Sequence, residues 1–325
     1  MKYKIKSLYD NMQYIAQVPF SSLNFGTDTS YEGRLVIQQL LIATDEGLGN
    51  GETPIFPVSV FKIKKNVSAK PGDPNYDLFE LACKVSAKRM FPNFGNVSAS
   101  YNIPTWEGAS MDSPDDEYAT MGCRTRVFTN IRNNGINGSV GRGNLSFTSI
   151  NLPRLAILAG RGNIDKFFRL LDNMMDLVHR QLQERFEIQC MRHPRNYPFL
   201  MGQGLWKGSE NLGPDDDIRD ALKNGTQGIG FIGLAECLVA LTGKHHGESE
   251  DSQKLGLRIV GHMRELTDRW SIEEGMNYSV LGTPAEGLSG RFIKIDQKRF
   301  GKIPGVTDRE YYTNSSHKQY CGIMQ

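Results

Sequence analysis

Met121-Gly122-Cys123-Arg124-Thr125-Arg126 and Gly141-Arg142-Gly143-Asn144-Leu145-Ser146-Phe147-Thr148-Ser149-Ile150-Asn151-Leu152-Pro153-Arg154 are the two stretches on which the reading of this chain turns. In the first, a lone cysteine follows a glycine, which lets the backbone turn sharply, and precedes two arginines, which hold a loop or attract anions. A thiol so placed is presented at a loop tip, unless it is one of the buried, inert cysteines common in protein cores. In the second, Ser146 to Leu152 reads as a buried strand, yet Thr148, Ser149 and Asn151 put polar side chains into it. Such groups need partners, either neighbouring backbone or a pocket for a polar substrate. The same holds for Ser21 and Ser22 in Val18-Pro19-Phe20-Ser21-Ser22.

Outward from these stretches, helices alternate with short β-rich runs. Ile164 to Ile188 carries Ile164, Phe167, Phe168, Leu171, Met175, Val178, Leu182 and Phe186 at helical spacing behind the cap candidate Asn163. Further helices are predicted over Gly33 to Glu46, Tyr76 to Met90, Phe231 to Leu241 and Ser252 to Glu273. Phe56 to Ile63, Met276 to Leu281 and Gln17 to Leu23 read as further strands, with Pro19 a local irregularity. The alternation indicates an α/β architecture with a mainly parallel sheet or barrel. At 325 residues, with no repeat and no clean linker, one domain is the simpler expectation.

Charge and cysteine content exclude several classes. The 38 Lys and Arg against 36 Asp and Glu leave a formal charge of +2 without a basic block, so nothing electrostatic points to nucleic acid or a membrane surface. Cys83, Cys123, Cys190, Cys237 and Cys321 are odd in number and widely spaced, which argues against a disulfide framework or a four-cysteine zinc site. No run approaches a membrane span, and a reducing cytoplasm is the expected compartment. Gly243-Lys244 is followed by His245 and is not a Walker sequence. Gly141-Arg142-Gly143 lacks the third glycine of a dinucleotide fingerprint. His245-His246 reads as a solvated loop pair, and no His-Glu-x-x-His motif offers a catalytic metal site.

A phosphate site is better sought in Leu281-Gly282-Thr283-Pro284-Ala285-Glu286-Gly287-Leu288-Ser289-Gly290-Arg291. Its small residues let backbone N–H groups approach phosphate oxygens, Thr283 and Ser289 add hydroxyls, and Arg291 adds a cationic fork. An ordinary glycine-rich turn is the alternative.

Taken together, the Met121 to Arg126 run, the Gly141 to Arg154 run and Thr283-Pro284-Ala285-Glu286-Gly287 closely resemble the anaerobic (class III) ribonucleoside-triphosphate reductases. Gln17 to Ser22, Gly26 to Thr29, Gly47 to Pro57, Pro71 to Phe79 and Pro304 to Tyr312 also look like that family, so the resemblance runs from about Gln17 to Asn314. It implies a glycyl-radical enzyme on a ten-stranded α/β barrel with a central cysteine finger loop. Cys123 then matches the family's transient thiyl radical, which removes the 3′-hydrogen of the ribonucleotide. Asn144 matches its active-site asparagine, beside the ribose hydroxyls or the formate reductant. Ser21, Ser22 and the loop Thr283, Pro284, Ala285, Glu286 and Gly287 would bind substrate, the loop through its phosphates.

The resemblance also implies what lies elsewhere. The chain matches the central barrel portion and is expected to be a single catalytic-barrel fragment. It starts downstream of the family's ATP-cone region and upstream cysteine, and stops before the glycyl-radical and zinc-cysteine segment. Arg258-Ile259-Val260-Gly261-His262 only superficially looks like a radical-glycine motif, and Gly261 reads as a helix-packing glycine. A radical glycine, a structural zinc, a complementing C-terminal polypeptide and a radical-SAM activating enzyme would come from outside the chain, with a homodimer as a possible assembly. The leading expectation is reduction of ribonucleoside triphosphates once a radical is supplied, with the isolated chain inactive. A catalytically silent nucleotide-binding or assembly relic is the alternative. A pyruvate formate-lyase-like reaction is disfavoured, because it uses two adjacent cysteines and Cys123 has no cysteine neighbour.

Overall fold

The computed structural model describes residues 22–104, 108–113, 116–121, 125–133, 139 and 142–315. They fall into two compact units, residues 1–140 and residues 141–325.

In the first unit, β1 (Ser22–Phe25), α1 (Tyr31–Glu46), β2 (Val58–Ile63), α2 (Tyr76–Arg89) and β3 (Asn93–Asn96) follow in order. The three strands pair in parallel as β1-β2-β3, with Phe25 opposite Phe61 and Phe61 opposite Phe94. Helices between parallel strands are the crossovers such pairing requires. Ser30 caps α1 by accepting the Gly33 N–H at 3.0 Å. Ile37 and Leu41, four residues apart, turn one stripe of α1 onto Phe61, Leu78, Ala82 and Val85, which form this unit's core. Beyond the sheet, β4 (Ala119–Met121) and β5 (Thr125–Val127) pair antiparallel, with Thr120 opposite Arg126 and Met121 opposite Thr125.

The second unit is built on β6 (Asn144–Asn151), β7 (Thr226–Ile232) and β8 (Asn277–Gly282), parallel in that order. Its helices include α3 (Leu152–Ala159), α4 (Ile164–Cys190), α5 (Leu234–Thr242), α6 (Glu250–Glu274) and α7 (Glu286–Phe300). The predicted apolar stripe of α4 is the main beam of the core: Phe167, Leu171, Met175, Val178, Leu182 and Phe186 are buried, with Ile164 and Phe168 packed at the margin. Asn163 caps it through the Lys166 N–H.

Several expectations need correction. Strand β7 ends at Ile232 and α5 starts at Leu234, so Phe231 belongs to a strand and not to the helix predicted from it. Leu152 opens α3 with Pro153 in its first turn, where a missing N–H costs nothing. Glu286 to Arg291 is the start of α7 and not a continuous loop. Gly261 does lie inside α6, but a Cβ there would meet open space. The packing glycine of that helix is Gly256, against Leu238. The mixed α/β class holds. Among the described residues the strands form sheets of three, two and three, and a closed ten-stranded barrel is not among them.

Candidate functional site

Met121 and Thr125 close the β4–β5 ladder, and Gly122, Cys123 and Arg124, which come between them in sequence, lie outside the described residues. The stem is held from both sides. The Asn24 amide pairs with both main-chain groups of one residue: Nδ2 donates to the Thr120 carbonyl at 3.0 Å, and Oδ1 accepts the Thr120 N–H at 2.9 Å. Ser22 Oγ donates to the same carbonyl at 2.6 Å. Opposite Thr120, Arg126 donates to the Tyr101 carbonyl at 2.5 Å and to Asn102 Oδ1 at 2.6 Å. Below the stem, Glu117 accepts from Thr27, Lys62 and Lys64 at 3.2, 3.2 and 3.0 Å. Burial pushes the Lys62 ammonium below its usual range, against the pull of Glu117. Ser22, expected at a substrate, thus has its hydroxyl on the hairpin stem, and Ser21 lies outside the described residues.

In the second unit one face of the β6-β7-β8 sheet packs on α4. Gln227 donates to the Leu182 carbonyl at 3.2 Å, and Ile150 and Ile229 are buried with that helix. On the opposite face Phe147 is 55% exposed. On it β7 presents Gly228 and Gly230. A Cβ at Gly228 would meet Leu281 and Phe147 at 3.0 Å, and one at Gly230 would meet Thr283 Oγ1 at 2.1 Å and Ser149 Oγ at 2.8 Å. Ser149 and Thr283 hydroxyls bond to each other at 2.8 Å directly over Gly230. The polar strand residues that sequence singled out therefore find side-chain partners. Thr148 bonds Gln181 at 2.9 Å, Ser149 bonds Thr283, and Asn151 donates to Asp296 at 2.7 Å.

The expected phosphate loop sits at the carboxyl end of β8, the edge of a parallel sheet where ligands of α/β proteins bind. Thr283 is 2% exposed, and its N–H continues the ladder to the Phe231 carbonyl. Its hydroxyl is on Ser149, and Ser289 is likewise buried. Pro284 and Gly287 are exposed, Ala285 is buried, and no side chain caps α7. The amides of Glu286, Gly287 and Leu288 lack intrahelical acceptors by helix geometry, so the loop offers an anion backbone donors and a helix dipole. Residues that sequence reasoning did not single out hold this edge. Asn314 Oδ1 accepts the Ala285 N–H at 3.3 Å, Thr313 accepts the Gly233 N–H at 2.7 Å, and the Ser315 N–H reaches the Thr283 carbonyl at 3.3 Å. Beneath them Asp296 accepts from Asn151, Arg154 and Tyr312, and Glu236 from Arg309 and Thr313.

Asn144 opens β6 and is exposed. The residues before it are fixed: Arg142 bonds the Asn224 carbonyl at 2.9 Å and Thr226 Oγ1 at 2.7 Å, and burial pushes its guanidinium down to about 10. Gly143 lies so close to Trp206 that a Cβ would approach its ring at 2.5 Å. Asn144 is level with Thr226, whereas Thr283 follows Gly282, which is level with Phe231. At ~3.3 Å per residue the two candidate regions stand roughly 20 Å apart along the sheet. A single ligand would touch both only when laid along it. His245 and His246 are half-buried, not solvated, and His245 Nδ1 accepts the Gly247 N–H at 3.0 Å. Among the described residues no group of three or more His, Cys, Asp or Glu side chains is placed to hold a metal, and no helix is long and apolar enough to cross a membrane.

This mixed α/β arrangement is similar in fold to solved anaerobic ribonucleotide reductases. The enzyme from Thermotoga maritima, crystallised with citrate in its active site, aligns with a TM-score of 0.64 at 16% identity, over 98% of this chain and 56% of its own. The same enzyme in complex with dATP and CTP aligns with a TM-score of 0.59 at 15% identity, over 97% of this chain and 51% of its own. By sequence, the family model for anaerobic ribonucleoside-triphosphate reductase matches residues 6–322. The anaerobic ribonucleoside-triphosphate reductase of Escherichia coli K12 is 36% identical over 96% of this chain and 44% of its own length. That of enterobacteria phage T4 is 32% identical over 97% and 49%. The chain belongs to the anaerobic ribonucleoside-triphosphate reductase family, and it spans about half the length of these relatives.

Proposed function

We propose that this chain carries the substrate-reducing portion of an anaerobic ribonucleoside-triphosphate reductase of the ten-stranded α/β barrel type. The observation that carries the reading is the family match across both Cys123 and Asn144. A hairpin stem bolted on both strands immediately before and after residues 122–124 supports it. A glycyl radical, supplied from outside the given residues, would take the hydrogen atom of the Cys123 S–H bond, becoming glycine and leaving Cys123 as a thiyl. Cys123 Sγ then takes the 3′-hydrogen atom of the ribose, forming an S–H bond as the C–H bond breaks and leaving the unpaired electron on carbon. Asn144, with an amide that both donates and accepts, orients the ribose hydroxyls or the formate that serves as reductant. The loop Thr283 to Gly287 binds the triphosphate through the amides that open α7, with Thr283 holding the loop to Ser149.

The nucleotide lies along the sheet, ribose toward Asn144 and phosphates toward α7. Gly228 and Gly230 let Phe147, Ser149, Leu281 and Thr283 close over the middle strand, so the nucleotide would rest on those flanking residues. The test is anaerobic complementation with a radical-bearing C-terminal polypeptide and a radical-SAM activating enzyme, following deoxynucleotide formation. Substrate-dependent product is expected with wild type and none with Cys123→Ser, which keeps the fold because one sulfur becomes one oxygen. Turnover by Cys123→Ser would overturn the thiyl assignment, and nucleotide binding without product from wild type would make the chain a silent relic.

A further inference from the structure

We infer that Asn24 is a positioning residue of this enzyme: it sets the register of the β4–β5 stem, and through it the reactivity of Cys123. The inference rests on the thiyl reading of Cys123 and adds a residue that motif matching did not select.

The geometry is specific to an asparagine. Thr120 is the central residue of β4, and its N–H and carbonyl are both bonded by a side chain of β1. The Asn24 carboxamide takes both groups at once, at 2.9 and 3.0 Å, standing in for one residue of β-ladder. Ser22, two residues earlier on the same face of β1, adds a third bond to the Thr120 carbonyl at 2.6 Å. Neither main-chain group of Thr120 can slide by a residue without losing this match. Across the ladder Arg126 is fixed by Asn102 and the Tyr101 carbonyl, with its guanidinium over the Tyr101 and Phe128 rings at 6.0 and 5.7 Å. Both strands are thus locked at one level, one residue before the last described pair, Met121 and Thr125.

A carboxylate at position 24 would still accept the Thr120 N–H but would face the Thr120 carbonyl without a donor. A leucine would offer neither group. Asn24→Leu and Asn24→Asp in the full chain therefore separate loss of the clamp from loss of shape. Two measurements on the chain alone read the clamp: hydrogen exchange at the Thr120 amide, and iodoacetamide alkylation of each cysteine resolved by peptide mass spectrometry. In Asn24→Leu the Thr120 amide should exchange at least about tenfold faster, corresponding to a lost net hydrogen bond. The Cys123 alkylation rate should change severalfold, while Cys83, Cys190 and Cys237 react as in wild type, which also certifies the fold. Asn24→Asp should lie between. In the complemented enzyme, Asn24→Leu should lower kcat about tenfold with KM for the nucleotide near wild type. A correctly folded Asn24→Leu with wild-type Thr120 exchange and Cys123 reactivity overturns the inference. So does one that loses the clamp yet keeps wild-type kcat. Turnover by Cys123→Ser would instead sink the thiyl reading, whatever the clamp measurements give.

Discussion

Thr283 shows how a residue with the right chemistry for one task performs another. Its hydroxyl was the natural candidate for a phosphate contact, but it is 2% exposed and faces Ser149 at 2.8 Å. What the loop offers an anion is main-chain N–H. Thr283→Val should therefore destabilise the fold by about 1 kcal/mol, the worth of one hydrogen bond with a partner left unpaired, and leave affinity for inorganic tripolyphosphate unchanged. Thermal unfolding and calorimetric titration of the one variant check both halves. Ser22 has the same history, a predicted substrate contact whose hydroxyl holds a hairpin. In both cases sequence located a polar group that needed a partner, and only the fold could say that the partner was internal.

At the scale of elements, α4 was the most legible, because six buried apolar residues recur at helical spacing over 27 residues and Asn163 caps the start. Leu171 is fully buried in that stripe, so Leu171→Ala should cost about 2–5 kcal/mol, read as a lowered denaturant midpoint with an unchanged slope. Strand β7 was the least legible. Thr226-Gln227-Gly228-Ile229-Gly230-Phe231-Ile232 alternates glycine with large apolar residues, and glycine in isolation argues against a strand. Its glycines make sense only with Leu281, Phe147, Ser149 and Thr283 in place beside them. The start of α7 was hidden for a related reason: glycines at 287 and 290 made a helical turn read as a loop. The hairpin stem is too short to announce itself by pattern, since each strand has three residues. Of the candidate site, the Thr283 to Gly287 segment was placed correctly at a strand end. The Asn314 and Thr313 contacts that brace it are long-range and left no local signal.

At the scale of the whole molecule, each unit has its own parallel sheet and apolar core, and the family match runs through both. The near-neutral charge of +2 conceals buried ions, of which Lys62 is the clearest. Its ammonium is lowered from the ordinary 10.5 by burial, so near that value the unfolded chain binds more protons than the folded one. Stability contributed by this group therefore rises with pH from its folded value up to 10.5. Lys62→Met should flatten that alkaline rise in a pH series of urea unfolding. A steeper rise in the variant would show that another group controls it.

Gly228 and Gly230 have one more consequence. Because the middle strand carries no side chains there, the surface over it is made by the flanking strands: Phe147 and Ser149 on one side, Leu281 and Thr283 on the other. The shape of this surface can then be retuned by exchanging flank residues while the floor stays constant. Any side chain added to the floor would have to evict those neighbours.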